Sequence, residues 1–332
     1  MTRPQLTLHF KSVFLMTPSS KINLVYVASI GRSGTTLLES MLGAHPSLET
    51  TGELHLWPHE IMMGGVQRCG SGEYVQNCPF WTEMRSRVDP LRQAAPQLHF
   101  FREQHNGGKT LRPTRLWEFG TNRLHKKTNS QVRQYGENNE AIFRTFADLV
   151  DETTGRRPMW IVDASKDPYR LLWLQRSGLF NIKVIHMVKN PRGYIYSAIK
   201  HWLKVDDPLR ALKRHYYTSR QALAWVIQNR LISAVAEHYL SSDNYLLLQY
   251  EDLASSPEET FAAVCEMIGV THAPEAVHNF REGSHFTIAG NPMRYENRGI
   301  ILDETWKRRL PSSSRCLSDL VTSTSMEKYG YQ

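Results

Sequence analysis

The sequence has few cysteines, and none of them has the spacing of a metal site. Its 332 residues include only 4 cysteines, and the closest two, Cys69 and Cys78, have eight residues between them and no histidine pair nearby. Structural zinc sites use C-x-x-C pairs or closely spaced Cys and His ligands. The sequence therefore predicts free thiols and no metal ion.

Long apolar runs and long basic tracts are also missing. No stretch approaches the roughly 20 apolar residues that cross a bilayer. The apolar segment near the start is interrupted by His9, Lys11 and Ser12, which makes it a poor signal peptide. We therefore expect a cytoplasmic protein without a membrane partner.

The formal net charge is +8, but Lys and Arg are scattered along the chain. Proteins that bind nucleic acids concentrate such charges in patches or tracts. We therefore expect no nucleic-acid partner, and a non-catalytic nucleic-acid-binding protein stays as an alternative. The charge also fits an anionic ligand, but a solvated basic surface is the preferred explanation for most of these residues.

The composition is that of a globular chain, with 41% hydrophobic residues and 22% charged residues. Residues 1–20 are predicted to form a flexible leader, and residues 21–332 a single domain. Within this domain, residues 56–135 lose clear periodicity. Long irregular stretches of this kind often form binding loops.

The most informative stretch is residues 22–44, in which an apolar strand, a glycine turn and a helix follow one another. The strand is predicted over residues 24–28, and apolar positions at helical spacing continue to His45 and Pro46. A strand that leads through a glycine loop into a helix directs backbone N–H groups at a phosphate-like anion. The stretch therefore predicts an anion site.

The loop resembles the Walker A pattern G-x-x-x-x-G-K-[ST] but departs from it at the lysine. Aligned on Gly34, Ser29 takes the place of the first glycine and Thr35 takes the place of the lysine. A P-loop kinase or NTPase would lose its clamp on the γ-phosphate, so this class is kept only as an alternative. Arg32 supplies a cation within the loop, and the hydroxyls of Thr35 and Thr36 are available as donors.

Further strands and helices alternate along the rest of the chain. The predicted strands cover residues 159–162, 182–188 and 245–250, after a short extended segment at 47–53, and the predicted helices cover residues 138–154, 169–176, 208–239, 257–269 and 303–310. This alternation indicates an α/β protein with a parallel, doubly wound sheet. Ligands of such sheets bind beyond the carboxyl ends of the strands.

Acidic and basic candidates stand at those strand ends. Glu53 ends the first extended segment, and Glu49 and Glu60 compete with it as functional acids. Glu53 could also be a helix-capping or surface acid. Apolar neighbours would raise its pKa by partial burial, which suits a general base.

Two lysines follow later strands. Lys166 is a candidate for the reacting centre, although a salt bridge with Asp163 or Asp167 would also explain it. Lys189 and Ser197 are eight residues apart across a strand-to-helix junction, where a cation and a hydroxyl can converge on one phosphate. The alternative is that this lysine merely covers the helix start.

A family resemblance connects these motifs. RSGTT followed by LLESMLGAHP, at residues 32–46, resembles the 5′-phosphosulfate loop of sulfotransferases that use 3′-phosphoadenosine 5′-phosphosulfate (PAPS). SKDP at 165–168, YEDL at 250–253 and GNPMR at 290–294 follow in the order typical of tyrosylprotein, carbohydrate-type and bacterial members. The resemblance implies a P-loop-type three-layer fold with a central parallel sheet flanked by helices. It also implies PAPS as the sulfuryl donor.

The resemblance assigns roles residue by residue. Glu53 would be the general base, and Lys166 would steady the transferring group. The donor-binding residues that it implies are Arg32, Ser33, Gly34, Thr35, Thr36, Lys189, Ser197, Tyr250, Gly290 and Arg294.

Two departures or alternatives affect these roles. The family usually has Arg where this chain has Lys189, and a lysine gives up the bidentate fork and grips the 3′-phosphate less firmly. Histidine is the base in the cytosolic sulfotransferase branch, so His55 and His201 stay open as alternatives to Glu53.

The predicted acceptor is a hydroxyl or nitrogen of a small-molecule natural product. Residues 56–135, which match the family least, are predicted to be an insertion that determines acceptor specificity. Several acids in this insertion would suit a cationic acceptor: Glu60, Glu73, Glu103 and Glu118. The motifs fit O-sulfation and N-sulfation equally well and say nothing of the oligomeric state.

Overall fold

A computed structural model describes residues 21–57, 66–94, 126–203, 209–282, 286–295 and 299–332. Five strands form one sheet: β1 (Ile22–Ser29), β2 (Leu48–Thr50), β3 (Trp160–Lys166), β4 (Phe180–Val188) and β5 (Tyr245–Gln249). Their spatial order is β2-β3-β1-β4-β5, and every neighbouring pair is parallel. The predicted α/β class with a central parallel sheet is confirmed.

Helices connect and flank these strands. In chain order the described α-helices are α1 (Thr35–Ala44), α2 (Pro79–Ala94), α3 (Lys126–Thr154), α4 (Pro168–Ser177), α5 (Pro191–Trp202), α6 (Arg210–Tyr239), α7 (Tyr250–Ser255), α8 (Pro257–Ile268), α9 (Glu275–His278), α10 (Thr305–Arg309) and α11 (Ser312–Lys328). Short 3-10 turns cover Leu54–Leu56, Ser242–Asn244 and Pro292–Tyr295. None of these helices combines the length and apolar character that a membrane crossing needs.

The central strand β1 shows why the fold has three layers. Successive side chains of a strand point to opposite faces of the sheet. Leu24 and Tyr26 pack in the core cluster that contains residues of α2, α3 and α4, whereas Val25 and Val27 pack in the cluster that contains α1 and α8. A strand buried on both faces is typical of parallel sheets covered by helices on each side.

Helix α3 begins at Lys126, twelve residues before the predicted start at residue 138. Its early part lacks an apolar stripe because polar contacts partly replace it. The Arg170 guanidinium donates to Asn139 Oδ1 at 2.8 Å and also to the Tyr135 hydroxyl, and all three side chains are buried. Hydrogen-bonded polar groups can be buried at modest cost. The spacing of apolar residues therefore predicted a helix that was too short.

The described part of residues 56–135 is more regular than its sequence suggested, because α2 lies within it. The aromatic rings of Trp57, Phe80 and Trp81 are buried in the core. The Trp57 and Trp81 ring centroids are 5.5 Å apart, and Phe80 stacks on Phe286 at 4.0 Å. Residues 58–65 and 95–125 lie outside the described residues, as does the leader at residues 1–20, so the predicted leader and specificity insertion stay predictions.

All four cysteines carry free thiols, and Cys69, Cys78 and Cys265 are buried.

Candidate active site

Four strand-to-helix junctions lie at the carboxyl edge of the sheet: β1 to α1, β3 to α4, β4 to α5, and β5 to α7. Asp167 caps α4 by accepting hydrogen bonds from two backbone N–H groups at 2.8 and 3.4 Å, and Asn190 caps α5 with one at 3.0 Å. Gly34 is the N-cap residue of α1, and no side chain caps this helix or α7. Backbone N–H groups at the start of a helix that lack a side-chain cap can bind an anion.

The loop before α1 requires glycine at residue 34. Gly34 has φ 85°, and a Cβ atom there would lie 2.1 Å from the Tyr250 ring. That ring also contacts Lys189, whose Nζ lies 4.1 Å from the ring centroid in a cation–π contact. Burial lowers the pKa of Lys189, while the charges of Glu251 and Asp303 oppose that shift. Tyr250 thus contacts residues of both the β1–α1 and the β4–α5 junction.

A cleft of about 1420 Å³ opens over these junctions. Ten of the predicted site residues line it: Arg32, Gly34, Thr35, Thr36, Glu53, Lys166, Lys189, Ser197, Tyr250 and Gly290. The other two, Ser33 and Arg294, are not among its lining residues. The Ser33 hydroxyl is buried in the loop and has no hydrogen-bond partner among the described residues.

Glu53 and Lys166 meet inside this cleft. Lys166 Nζ donates a hydrogen bond of 2.5 Å to Glu53 Oε1, and the two side chains are 13% and 20% exposed respectively. The alternative partners of the lysine are engaged elsewhere, because Asp163 binds Arg170 at 2.7 Å and Asp167 caps α4. The lysine is therefore paired with the predicted base.

The backbone around Lys166 is irregular. The register of β1 against β3 shifts by one residue just before this lysine, and its φ is 66°. Bulges near active sites commonly change the direction of a side chain, and a positive φ in a non-glycine residue carries strain. The bulge thus occurs at the position where the Lys166 side chain is directed toward Glu53.

The backbone of Glu53 is held by a segment far away in sequence. Glu53 N–H donates to Ile288 O at 2.9 Å, and Ile288 N–H donates to Thr51 O at 3.0 Å. Gly52 between them has φ 70°, and a Cβ there would come within 2.4 Å of Ile288 O. Glu53 precedes the turn Leu54–Leu56 without capping it, so it is not the helix-capping acid that was the alternative.

The two alternative histidines, His55 and His201, both line the cleft but differ in their surroundings. His55 is nearly buried, and its Nε2 lies 3.8 Å from Glu53 Oε2. His201 lines the cleft from the exposed end of α5, where partial desolvation and the charge of Arg32 lower its pKa. His55 therefore remains close enough to act with Glu53.

Of the two competing acids, the structure describes one, Glu49. Glu49 lies on β2, where its carboxylate binds Arg156 Nη2 at 3.2 Å, and it does not line the cleft. Glu60 lies outside the described residues. Of the acids described, Glu53 is thus the one paired with Lys166.

Sequence reasoning missed several lining residues. Gln228 projects from α6 and donates to Ser29 O at 2.9 Å, at the end of β1. It lies in the middle of a 30-residue helix, so no local signal marks it. Lys307 and Arg308 also line the cleft, and their basic run near the end of the chain could have been identified as a cationic cluster.

Comparisons with known proteins identify the family of this chain. The model of the sulfotransferase family matches residues 25–274, which is more than half of the chain. The chain belongs to the sulfotransferase family and is an enzyme. No curated protein matches it in sequence.

Solved structures support the fold. The sulfotransferase domain of the Synechococcus PCC 7002 olefin synthase is 22% identical, with a TM-score of 0.52 over 93% of this chain and 96% of that domain. The sulfotransferase domain from the curacin biosynthetic pathway is 20% identical, with a TM-score of 0.52 over 95% and 99%. A sulfotransferase from Mycobacterium avium is 11% identical, with a TM-score of 0.52 over 95% and 78%.

Proposed function

We propose that this enzyme transfers the sulfuryl group of PAPS to a hydroxyl or nitrogen of a small-molecule natural product. The observation that carries this proposal is the contact between Glu53 and Lys166 in a cleft that also contains the uncapped N-terminus of α1. A base and a cation stand together beside a site for an anionic group. The two structural neighbours from olefin synthase and curacin biosynthesis support a natural-product acceptor by analogy of fold.

The donor set suits a nucleotide with phosphates at both ends. The N–H groups of α1, with Arg32 and the hydroxyls of Thr35 and Thr36, would bind the 5′ end. Thr36 Oγ1 accepts a hydrogen bond of 3.2 Å from Asn291 N–H, which leaves its own proton available for a ligand. The fully buried Ser33 hydroxyl, which lacks a partner among the described residues, is a further donor within the loop.

The 3′-phosphate would bind at the α5 junction. Because Asn190 already caps α5, charge must come from side chains there. Lys189 is 7% exposed and Ser197 is partly buried, and both line the cleft. Tyr250, which contacts both Gly34 and Lys189, would keep the two ends at a fixed separation.

The chemistry then divides between two side chains. The Glu53 carboxylate takes the proton of the acceptor O–H or N–H while the acceptor atom bonds to sulfur. The bond between sulfur and the 5′-phosphate oxygen breaks, and 3′-phosphoadenosine 5′-phosphate (PAP) leaves. As Glu53 becomes neutral, the Lys166 ammonium can transfer its hydrogen bond to the departing oxygen, where negative charge collects. Such reactions depend mainly on positioning and electrostatics.

A metal ion is unnecessary in this scheme. A sulfuryl group brings less negative charge than a γ-phosphate, so Arg32, Lys166 and the N-terminus of α1 can balance it. A kinase or NTPase is disfavoured by Thr35, which lines the cleft where a Walker lysine would stand. Membership of the sulfotransferase family counts against that class and against a non-catalytic nucleic-acid-binding protein.

The charge of the acceptor is a weaker part of the proposal. Glu73 is the one acid of the predicted cationic subsite that the structure describes, and it is exposed and does not line the cleft. The others, Glu60, Glu103 and Glu118, lie outside the described residues. A cationic acceptor therefore rests on the sequence alone.

The test uses PAPS labelled with heavy sulfur and a panel of phenols, alcohols, sugars and amines. We expect mass spectrometry to find the label on one acceptor class, and calorimetry to show binding of PAP. Glu53→Gln is the matched variant and should bind PAP without transferring the label. Parallel reactions with Mg-ATP should give no product. Phosphorylation of the panel, or failure to bind PAP, would contradict the proposal.

A further inference from the structure

Arg294 is turned away from the cleft that the resemblance assigns to it. Its Nη2 lies 3.4 Å from Glu39 Oε1, and its Nη1 donates to the Thr287 hydroxyl. The Arg294 and Glu39 side chains are 9% and 2% exposed. Gly290 has φ 107°, and a Cβ there would overlap the Arg294 guanidinium. Gly290 therefore leaves space for the Arg294 side chain, which belongs to the same segment.

Glu39 lies on α1, the helix that follows the phosphate loop. Burial raises the pKa of its carboxyl, and the charges of Arg294 and Lys166 oppose that shift. Its Oε2 has no hydrogen-bond partner among the described residues. A buried carboxylate with so few partners depends strongly on its ion pair, because an uncompensated buried charge is costly.

Glu39 is close enough to the reacting pair for their charges to interact. The charged groups that act on it come from three other parts of the fold: Lys166 at the end of β3, Glu53 before the first 3-10 turn, and Arg294 in the last 3-10 turn. Tyr295, beside that arginine, also interacts with it. The pair of Glu39 and Arg294 is therefore part of the electrostatic surroundings of Glu53.

The segment 286–295 connects this pair to the base. Ile288 O accepts the hydrogen bond from Glu53 N–H at 2.9 Å. Three residues later, Asn291 N–H donates to Thr36 Oγ1 on α1 at 3.2 Å. Arg294 then binds Glu39 one turn farther along α1. Helix α1 thus holds the segment at two places, and the segment holds Glu53.

We propose that Glu39 and Arg294 are positioning residues that fasten segment 286–295 to α1 and thereby keep Glu53 aligned with the phosphate loop. In this arrangement Arg294 acts through Glu39 and does not bind the nucleotide. The pair also adds no net charge beside Glu53 while both groups are ionised. This inference rests on the proposed function, since its effect on rate requires Glu53 to be the base.

The sign of the charge effect can be predicted. A base is active when deprotonated, so the rate falls on the acidic side as Glu53 gains a proton. Glu39→Gln leaves the charge of Arg294 unbalanced, which favours the Glu53 carboxylate and moves the acidic limb to lower pH by roughly half a unit or more. Adding Arg294→Met removes that excess charge and should return the limb toward its original position.

The experiment compares wild type, Glu39→Gln, the double variant Glu39→Gln/Arg294→Met, and Glu49→Gln. Glu49 is a matched control, because it is also a buried carboxylate paired with an arginine, at 3.2 Å, but it lies outside the cleft lining. The first measurement is kcat/KM against pH, with PAPS and the best acceptor of the panel. The second is hydrogen–deuterium exchange in peptides covering residues 51–53 and 286–291.

We expect the limb to shift in Glu39→Gln alone, and exchange in both peptides to rise about tenfold or more in the double variant. Peptides of β4 should not change, and Glu49→Gln should change neither measurement. A purely structural role would lower the rate in both variants without moving the limb. An unmoved limb with unchanged exchange overturns the proposal.

Arg294→Met by itself separates the two roles of the arginine. Faster exchange with PAP affinity kept within about threefold supports positioning. Loss of PAP affinity by more than tenfold with unchanged exchange would make Arg294 a nucleotide ligand and overturn the inference. If wild type transfers no sulfuryl group from PAPS, the proposed function fails. The exchange measurements then decide the fastening of segment 286–295 independently.

Discussion

The junction of β1 with α1 and the junction of β4 with α5 share the same order of strand and helix but differ in the chemistry of the N-cap. In each, a buried parallel strand leads into the N-terminus of a helix at the same edge of the sheet. The first has Gly34 at its N-cap position, and no side chain bonds to the backbone N–H groups there. The second is closed by the Asn190 side chain and by Pro191, which has no N–H group.

In the proposed function, this difference lets one architecture bind two phosphates. Backbone donors are fixed in direction and do not titrate, so the α1 junction suits a group that must be held still during reaction. The α5 junction relies on the side chains of Lys189 and Ser197, whose charge and position can adjust. In the proposed function, Glu53 and Lys166 act beside the α1 junction, because the strand order β2-β3-β1-β4-β5 places the ends of β2 and β3 on the side of β1 opposite to β4.

The largest effect is expected at Glu53, beside the α1 junction. Glu53→Gln should lower kcat about 1000-fold, because an amide cannot take the acceptor proton, while PAP affinity stays within about threefold. Rate measurements and calorimetry on the same protein separate the two quantities. Near-native turnover would mean that the base is misassigned, and His55, 3.8 Å from Glu53, would be the next candidate.

A single methyl group at residue 34 should disrupt the α1 junction. Gly34→Ala should weaken PAP binding about 100-fold, because a Cβ at a φ of 85° would lie 2.1 Å from the Tyr250 ring. Gly31→Ala, in the same loop, is the matched control, since a Cβ there has no atom within 4 Å. It should change PAP affinity less than threefold in calorimetry. Equal losses in both variants would refute the steric explanation.

Strand β4 precedes the α5 junction and contains a buried histidine, so the stability of the fold should fall at acidic pH. Burial lowers the pKa of His186 on β4 from 6.5 to about 4. Between these values the unfolded chain binds the additional proton, so stability falls as the pH falls through this window. The loss is about 2–3 kcal/mol by pH 4. The strand β1 has Ala28 at the paired position.

Urea unfolding at pH 7 and at pH 4.5 tests this response. His186→Gln should remove much of the difference in unfolding free energy between the two pH values. An exposed histidine, His238, is the control, and its replacement by Gln should leave the difference in place. A wild-type stability that does not change over this range would contradict the assignment.

The smallest effect is expected at the cap of α5. Asn190→Ala should cost about 1 kcal/mol of stability and should change PAP affinity by less than about threefold. Lys189→Ala should weaken PAP binding about tenfold or more. Thermal unfolding and calorimetry check the two quantities. If Asn190→Ala weakened PAP binding as much as Lys189→Ala, the division between cap and ligand would be wrong.

Much of the site was predictable because its motifs are local. The strand, the glycine loop and the helix at residues 22–44 follow from periodicity and glycine placement, and Pro191 begins α5 as a first-turn proline should. The sequence understated α3, whose buried polar network around Arg170 interrupts the apolar period. It also presented α2 as irregular.

The sequence by itself determined the α/β class, the glycine loop before α1 and the candidate residues, since each depends on neighbours within a few positions. The tertiary structure decided which candidates meet. Glu53 and Lys166 are 113 positions apart, and Glu39 and Arg294 are 255 apart. Such pairs depend on the order of strands in the sheet and on the path of late segments across its edge, which no local pattern encodes. The requirement for glycine at the start of α1 is also tertiary. Gly34 is visible in the sequence, but the Tyr250 ring that leaves no room for a Cβ atom there belongs to α7.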